Sequence, residues 1–113
     1  MTTTNLFKDI PCEMPEEFYQ EILNRSNVRI ERIVSRGHRS PEGFWYDQAW
    51  DEWVLVVRGQ AVVEIDGQSK ALALGPGDHL FIAAHTRHRV TWTDDKSDTI
   101  WLAVHIHSQQ DLL

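Results

Sequence analysis

The chain has a single cysteine, Cys12, in 113 residues. That excludes an intrachain disulfide and any cysteine-rich zinc site. Beside Pro11 and followed by Glu13, Glu16 and Glu17, the thiol lacks the cationic neighbours that stabilise a thiolate, and it reads as an inert small residue. Long apolar runs are missing too. None approaches the roughly 20 residues that cross a bilayer. The first residues, Met1 to Leu6, lack the basic and apolar regions of a signal peptide. A cytoplasmic protein with no membrane partner is expected. Basic charge is scarce: eleven Lys and Arg face seventeen Asp and Glu, for a formal charge of −6. Such a surface repels phosphate backbones, so no nucleic-acid partner is expected. The one candidate basic patch is Arg25, Arg29, Arg32, Arg36 and Arg39. It contains Glu31 and has a strand-like pattern, so it reads as a solvated sheet face. Repeats, linkers and low-complexity segments are absent. What remains is a chain of ordinary length for one domain with one apolar core.

Residues 1–13 read as an irregular leader anchored by Leu6 and Phe7. Pro15 suits a first helical turn, Glu16 and Glu17 complement its dipole, and Phe18, Ile22 and Leu23 recur at helical spacing. The pattern predicts a short amphipathic helix over 15–24, so that 1–27 forms a leader with a helix and 28–113 a barrel. From Val28 the period shortens to two, with a slip near Arg32 that suggests a bulge. After the loop Gly37 to Gly43, strands are predicted over 44–48, 52–58, 60–66, 71–74, 79–83, 88–93 and 99–107. Asp66-Gly67 signals a tight hairpin, and Gly75-Pro76-Gly77-Asp78 a second turn. Many short, evenly spaced strands indicate an all-β sandwich or barrel.

In the strand after Asp51, the period of two puts Glu52, Val54 and Val56 on one face and Trp53, Leu55 and Val57 on the other. Both faces are apolar, so one turns to the interior and the other is covered by the N-terminal helix or by a second subunit, and the second option leads to the expectation of a homodimer. His88, Val90 and Trp92 share a face in the same way.

Two clusters carry the chemistry. The first is Tyr46, Gln48 and Glu52, with Gly59 seven residues beyond the glutamate; the second is Gly77 with His88 eleven residues on. This spacing resembles the two motifs of the cupin superfamily, across about residues 34–107. The resemblance implies a double-stranded β-helix, or jelly-roll, barrel. In metal-loaded cupins two histidines, the glutamate and the second-motif histidine hold one divalent cation. Here Tyr46 and Gln48 stand where those two histidines would be, Ala83 replaces a proline, and His85 replaces a usual glycine. Carried over residue by residue, the ligand set is Gln48, Glu52 and His88, with Tyr46 or His105 as a fourth. Such an oxygen-rich set suits manganese, magnesium or iron, or zinc, better than copper. The plain alternative is a metal-free polar network of the same residues.

Five tryptophans are many for this length. Trp45 and Trp92, with Tyr46, are candidate walls of an apolar pocket for a small organic ligand beside that cluster. Glu52 is the best candidate for a catalytic base. The resulting expectation is a small cupin barrel of open activity that takes a small molecule. It would be a metal-dependent dioxygenase or sugar or keto-acid isomerase, a metal-free binding protein, or a structural barrel.

Overall fold

The structure is a computed structural model that describes residues 1–108; residues 109–113, the tail of the expected barrel segment, lie outside the described residues. Eight strands form: β1 (Phe18–Asn24), β2 (Val28–Ser35), β3 (Asp51–Arg58), β4 (Ala61–Ile65), β5 (Leu72–Leu74), β6 (His79–Ile82), β7 (His88–Thr93) and β8 (Thr99–Ile106). They make one sheet in the order β1-β2-β8-β3-β6 and another in the order β5-β4-β7, antiparallel throughout. The core, including Val54, Val56, Val63, Ile82 and Trp101, lies between them. The result is the all-β double-stranded β-helix that the motif spacing implied.

Register decides what the larger sheet turns inward. Glu52, Val54 and Val56 on β3 stand opposite His105, Ala103 and Trp101 on β8. Those three stand opposite Arg29, Glu31 and Ile33 on β2. Cross-strand partners share a face, so the polar groups of three strands form adjacent columns. At the end of β3, Gly59 adopts φ +95°, and a Cβ there would lie 2.6 Å from the Thr99 Cα. Only glycine lets the chain leave β3 this close to β8.

The expected helix over 15–24 is instead strand β1, and no helix occurs among the described residues. Ten residues make a marginal helix alone, whereas the free edge of β2 offers a full ladder of backbone partners. A bulge between Glu21 and Leu23 shifts the register, so that Phe18 and Leu23 share the face of Val34 and Ile30. With Ile22 four residues from Phe18 and next to Leu23, the three apolar residues mimicked a helical stripe. The predicted strand at 44–48 is likewise reduced to one bridge, between Tyr46 and His88. Asp66-Gly67 does turn the chain, but β5 resumes only at Leu72, so the connection is longer than a tight hairpin.

Of the arginine run, Arg25 and Arg39 are exposed, but Arg32 is buried and Arg36 half-buried. Arg32, 2% exposed, donates to the carbonyls of Leu6, Lys8 and Asp9, and Arg36 donates to those of Pro11 and Cys12 and to Asp98. These two side chains tie the leader to the outer surface of the sheet. Among the described residues no helix is long and apolar enough to cross a membrane.

Candidate functional site

Between the two sheets lies a half-open cavity of about 430 Å³. Its apolar lining includes Ile33, Val54, Val63, Ile82 and Val90, and its aromatic walls are Tyr19, Tyr46, Trp50 and Trp101. Glu17, Glu31, Glu52, His88, His105 and Arg29 supply its charged and titratable groups.

Tyr46 reaches the cavity through its backbone. It exchanges hydrogen bonds with His88, N–H to carbonyl at 2.7 and 3.1 Å, which lays its ring on the imidazole at 5.4 Å. Gln48 is held by its carbonyl, which accepts from the His85 N–H at 2.6 Å. With its amide turned so that each atom meets a complementary partner, Gln48 donates to Glu52 Oε1 (3.1 Å) and accepts from Trp50 Nε1 (2.9 Å). The same indole N–H points at His105 Nδ1 (2.9 Å), and His105 Nε2 meets Glu31 Oε1 (2.8 Å). Since Trp50 can only donate, His105 carries its proton on Nε2 and gives it to the carboxylate.

A separate network lies on the β1 side. The Tyr19 hydroxyl donates to Glu17 Oε1 (2.6 Å), Ser35 donates to Glu17 Oε2, and Trp101 Nε1 donates to Ser35 Oγ (3.1 Å). Tyr19 keeps half of its surface exposed, yet burial first, and the Glu17 carboxylate second, raise its phenol above the ordinary value. Burial also raises Tyr46; its bond to Tyr19 pulls the other way, and Glu17, Glu52 and Glu31 add to the rise. Both phenols are therefore neutral at physiological pH.

The sequence matches the cupin domain family over residues 34–105. The chain belongs to that family. It is similar to the crystal structure of a putative mannose-6-phosphate isomerase from Ralstonia eutropha JMP134, at 48% identity, covering 96% of this chain and 100% of that one with a TM-score of 0.91. A cupin superfamily protein from Desulfitobacterium hafniense DCB-2 shares the fold at 19% identity, with 88% and 84% of the two chains covered and a TM-score of 0.71. The cupin domain of Schizosaccharomyces pombe Cnp3 does so at 6% identity, with 96% and 71% covered and a TM-score of 0.77. No curated protein matches the chain at a significant level.

As a cupin, the chain departs from the family's metal-holding set where its sequence does. Tyr46 is a neutral phenol, a poor ligand. The Gln48 amide is engaged with Glu52 and Trp50. His105 faces the cavity, but both of its nitrogens are spent on Trp50 and Glu31. Glu52 and His88 remain, with Nε2 and Oε1 3.8 Å apart. Among the described residues no group of three or more His, Cys, Asp or Glu side chains is placed to hold a metal ion. A resident divalent cation does not fit this donor set. His85, in place of the usual glycine, takes the left-handed φ of +62° that glycine would serve at that turn.

Gln48, Glu52, His88, Tyr46 and His105 thus come together around the cavity, and the two expected tryptophan walls do not. Trp45 lies outside it under Arg87 and Arg89, with guanidinium carbons 5.4 and 5.7 Å from its ring. Trp92 is 45% exposed. Opposite Val62 and Val63 the ladder passes from Trp92 to Val90, so Thr91 is an extra residue that breaks the inward alternation begun at His88. Trp50 and Trp101 take their place. Trp101 could have been found by extending the period of two along β8 from His105. Trp50, in an irregular segment, carried no periodic signal. Glu17, Tyr19 and Ser35 were missed with the strand β1.

Proposed function

We propose that this cupin is a metal-free binding barrel for a small organic molecule. The observation that carries this reading is the 430 Å³ cavity with aromatic walls in which the Gln48 and His105 side chains are already engaged by protein partners, which leaves only Glu52 and His88 as free donors to a metal. An apolar pocket with a few convergent polar groups is the usual form of a small-molecule site. The name of the Ralstonia relative would suggest sugar-phosphate isomerisation. A phosphate dianion would enter a cavity holding Glu17, Glu31 and Glu52 against the single cation Arg29, and that charge balance opposes it.

Two further parts of the proposal concern setting. A second copy of the chain is assigned to the outer face of the larger sheet. Half-buried Trp53 and Leu55 with exposed Phe81 (57%) support that assignment. The exposed free thiol Cys12 fits a reducing, cytoplasmic compartment.

The test is metal analysis of protein purified without a histidine tag, with mass measured by light scattering on the same sample. A metal-free dimer is expected, and the paired substitution Tyr46→His with Gln48→His should confer uptake of manganese, iron or zinc. Stoichiometric metal in the natural protein, lost in Glu52→Ala or His88→Ala, would overturn the metal-free reading. A monomeric mass would overturn the dimer.

A further inference from the structure

The groups in the cavity that can still make a bond are mostly acceptors. His88 is 6% exposed, and its Nδ1 faces the Thr86 carbonyl at 2.8 Å. A carbonyl only accepts, so Nδ1 carries a proton, and in the neutral ring Nε2 then presents a lone pair. That nitrogen has no hydrogen-bond partner, since Glu52 Oε1 is an acceptor 3.8 Å away. Glu52 takes Gln48 on Oε1, and Glu31 takes His105 on Oε1, which leaves each carboxylate an oxygen with no hydrogen bond. The donors, by contrast, are largely spent. Trp50 is engaged with His105 and Gln48, Trp101 with Ser35, and Tyr19 with Glu17. The Tyr46 hydroxyl is bonded to Tyr19, whose own proton goes to Glu17, so among these donors the Arg29 guanidinium remains.

Charge points the same way. Of the groups with fixed charge, three carboxylates less one guanidinium leave two net negative charges around the cavity. Arg29 lies two residues from Glu31 on the same strand face and offsets part of that carboxylate's field. Glu52 with His88 is then the stronger acceptor pair. The faces of Trp50, Trp101 and Tyr46 add an electrostatic preference for cations that grows in a desolvated site.

We infer that the cavity takes an organic ammonium ion, its apolar body between the aromatic walls and its N–H groups on Glu52 and the His88 Nε2 lone pair. This assignment rests on reading the chain as a small-molecule barrel. It names the ligand by chemical class: a protonated amine rather than a sugar phosphate or a carboxylic acid.

Three probes of one shape and different charge test it: phenethylammonium, phenethyl alcohol and hydrocinnamate, each titrated against tryptophan fluorescence and by calorimetry. The amine should bind about tenfold tighter than the alcohol, with hydrocinnamate weakest. Glu52→Gln should cut the amine-to-alcohol ratio several-fold, and Glu31→Gln carries the same comparison should the first variant fail to fold. Alcohol or hydrocinnamate binding as tightly as the amine would overturn the ammonium assignment and leave the binding barrel standing. An amine preference unchanged in both variants would trace to the overall charge of −6 and would also overturn it. If none of the three binds, the binding barrel falls with the assignment.

Discussion

The cavity has two polar ends made of similar groups in opposite states of completion. At the β1 end, Glu17 accepts Tyr19 on one oxygen and Ser35 on the other, and Ser35 accepts Trp101. Every polar atom in that chain has its partner. At the motif end, Gln48 bridges Glu52 and Trp50, yet His88 Nε2 and one Glu52 oxygen have no hydrogen bond. A closed buried network fixes a structure, while an open one is costly unless something else completes it. The contrast teaches where to look for function. The β1 end holds an edge strand to its sheet, and the motif end is left for a ligand.

The comparison can be broken most severely at the strand both ends share. Trp101 and His105 both lie on β8, and Gly59 is where β3 leaves the ladder against Thr99. Gly59→Ala places a methyl group against backbone at a positive φ, so a loss of about 3 kcal/mol in urea unfolding is expected. Amine binding should fall with it. A loss below about 1 kcal/mol would show that β8 yields at Thr99 and that the two ends are not rigidly joined.

A smaller and more selective lesion is Ser35→Ala. Ser35 is fully buried and Trp101 is 4% exposed, so the indole N–H would be left buried without an acceptor and Glu17 would lose a donor. About 1 to 2 kcal/mol of stability should go, while phenethylammonium affinity stays within about twofold, because the open end is untouched. Equal damage to affinity would mean that the closed end contributes to recognition, which would erase the distinction.

The same contrast explains what could be read without coordinates. The spacing of Glu52, Gly59, Gly77 and His88 specified the barrel because each position answers a backbone or packing demand; Gly59 against Thr99 is the clearest. The placement of the motif end was therefore legible, since Tyr46, Gln48, Glu52 and His88 line one cavity. The β1 end was not. Phe18, Ile22 and Leu23 fit a helical stripe as well as a bulged strand, and only the free edge of β2 decides between them. Losing β1 meant losing Glu17 and Tyr19. Trp92 failed for a related reason: one extra residue at Thr91 reverses the alternation, and no residue type announces it.

Both tyrosines of the chain line this cavity and meet each other there, which gives the smallest but cleanest test. Burial raises both phenols, and Glu17 raises Tyr19 further. The sign follows from linkage: an unfolded tyrosine releases its proton near pH 10, while the folded ones retain theirs. Their contribution to stability is thus present in full below about pH 10 and is lost progressively above it. Tyrosinate absorbance should stay flat through that pH in the folded protein and rise only with unfolding. Tyr19→Phe should remove more of the alkaline loss in urea midpoint than Tyr46→Phe, because Tyr46 has a hydrogen bond that works against its rise. Two ordinary titrations near pH 10 in folded protein would show that neither hydroxyl is held by its neighbours, and the Tyr19–Glu17 contact would then not close its end of the cavity.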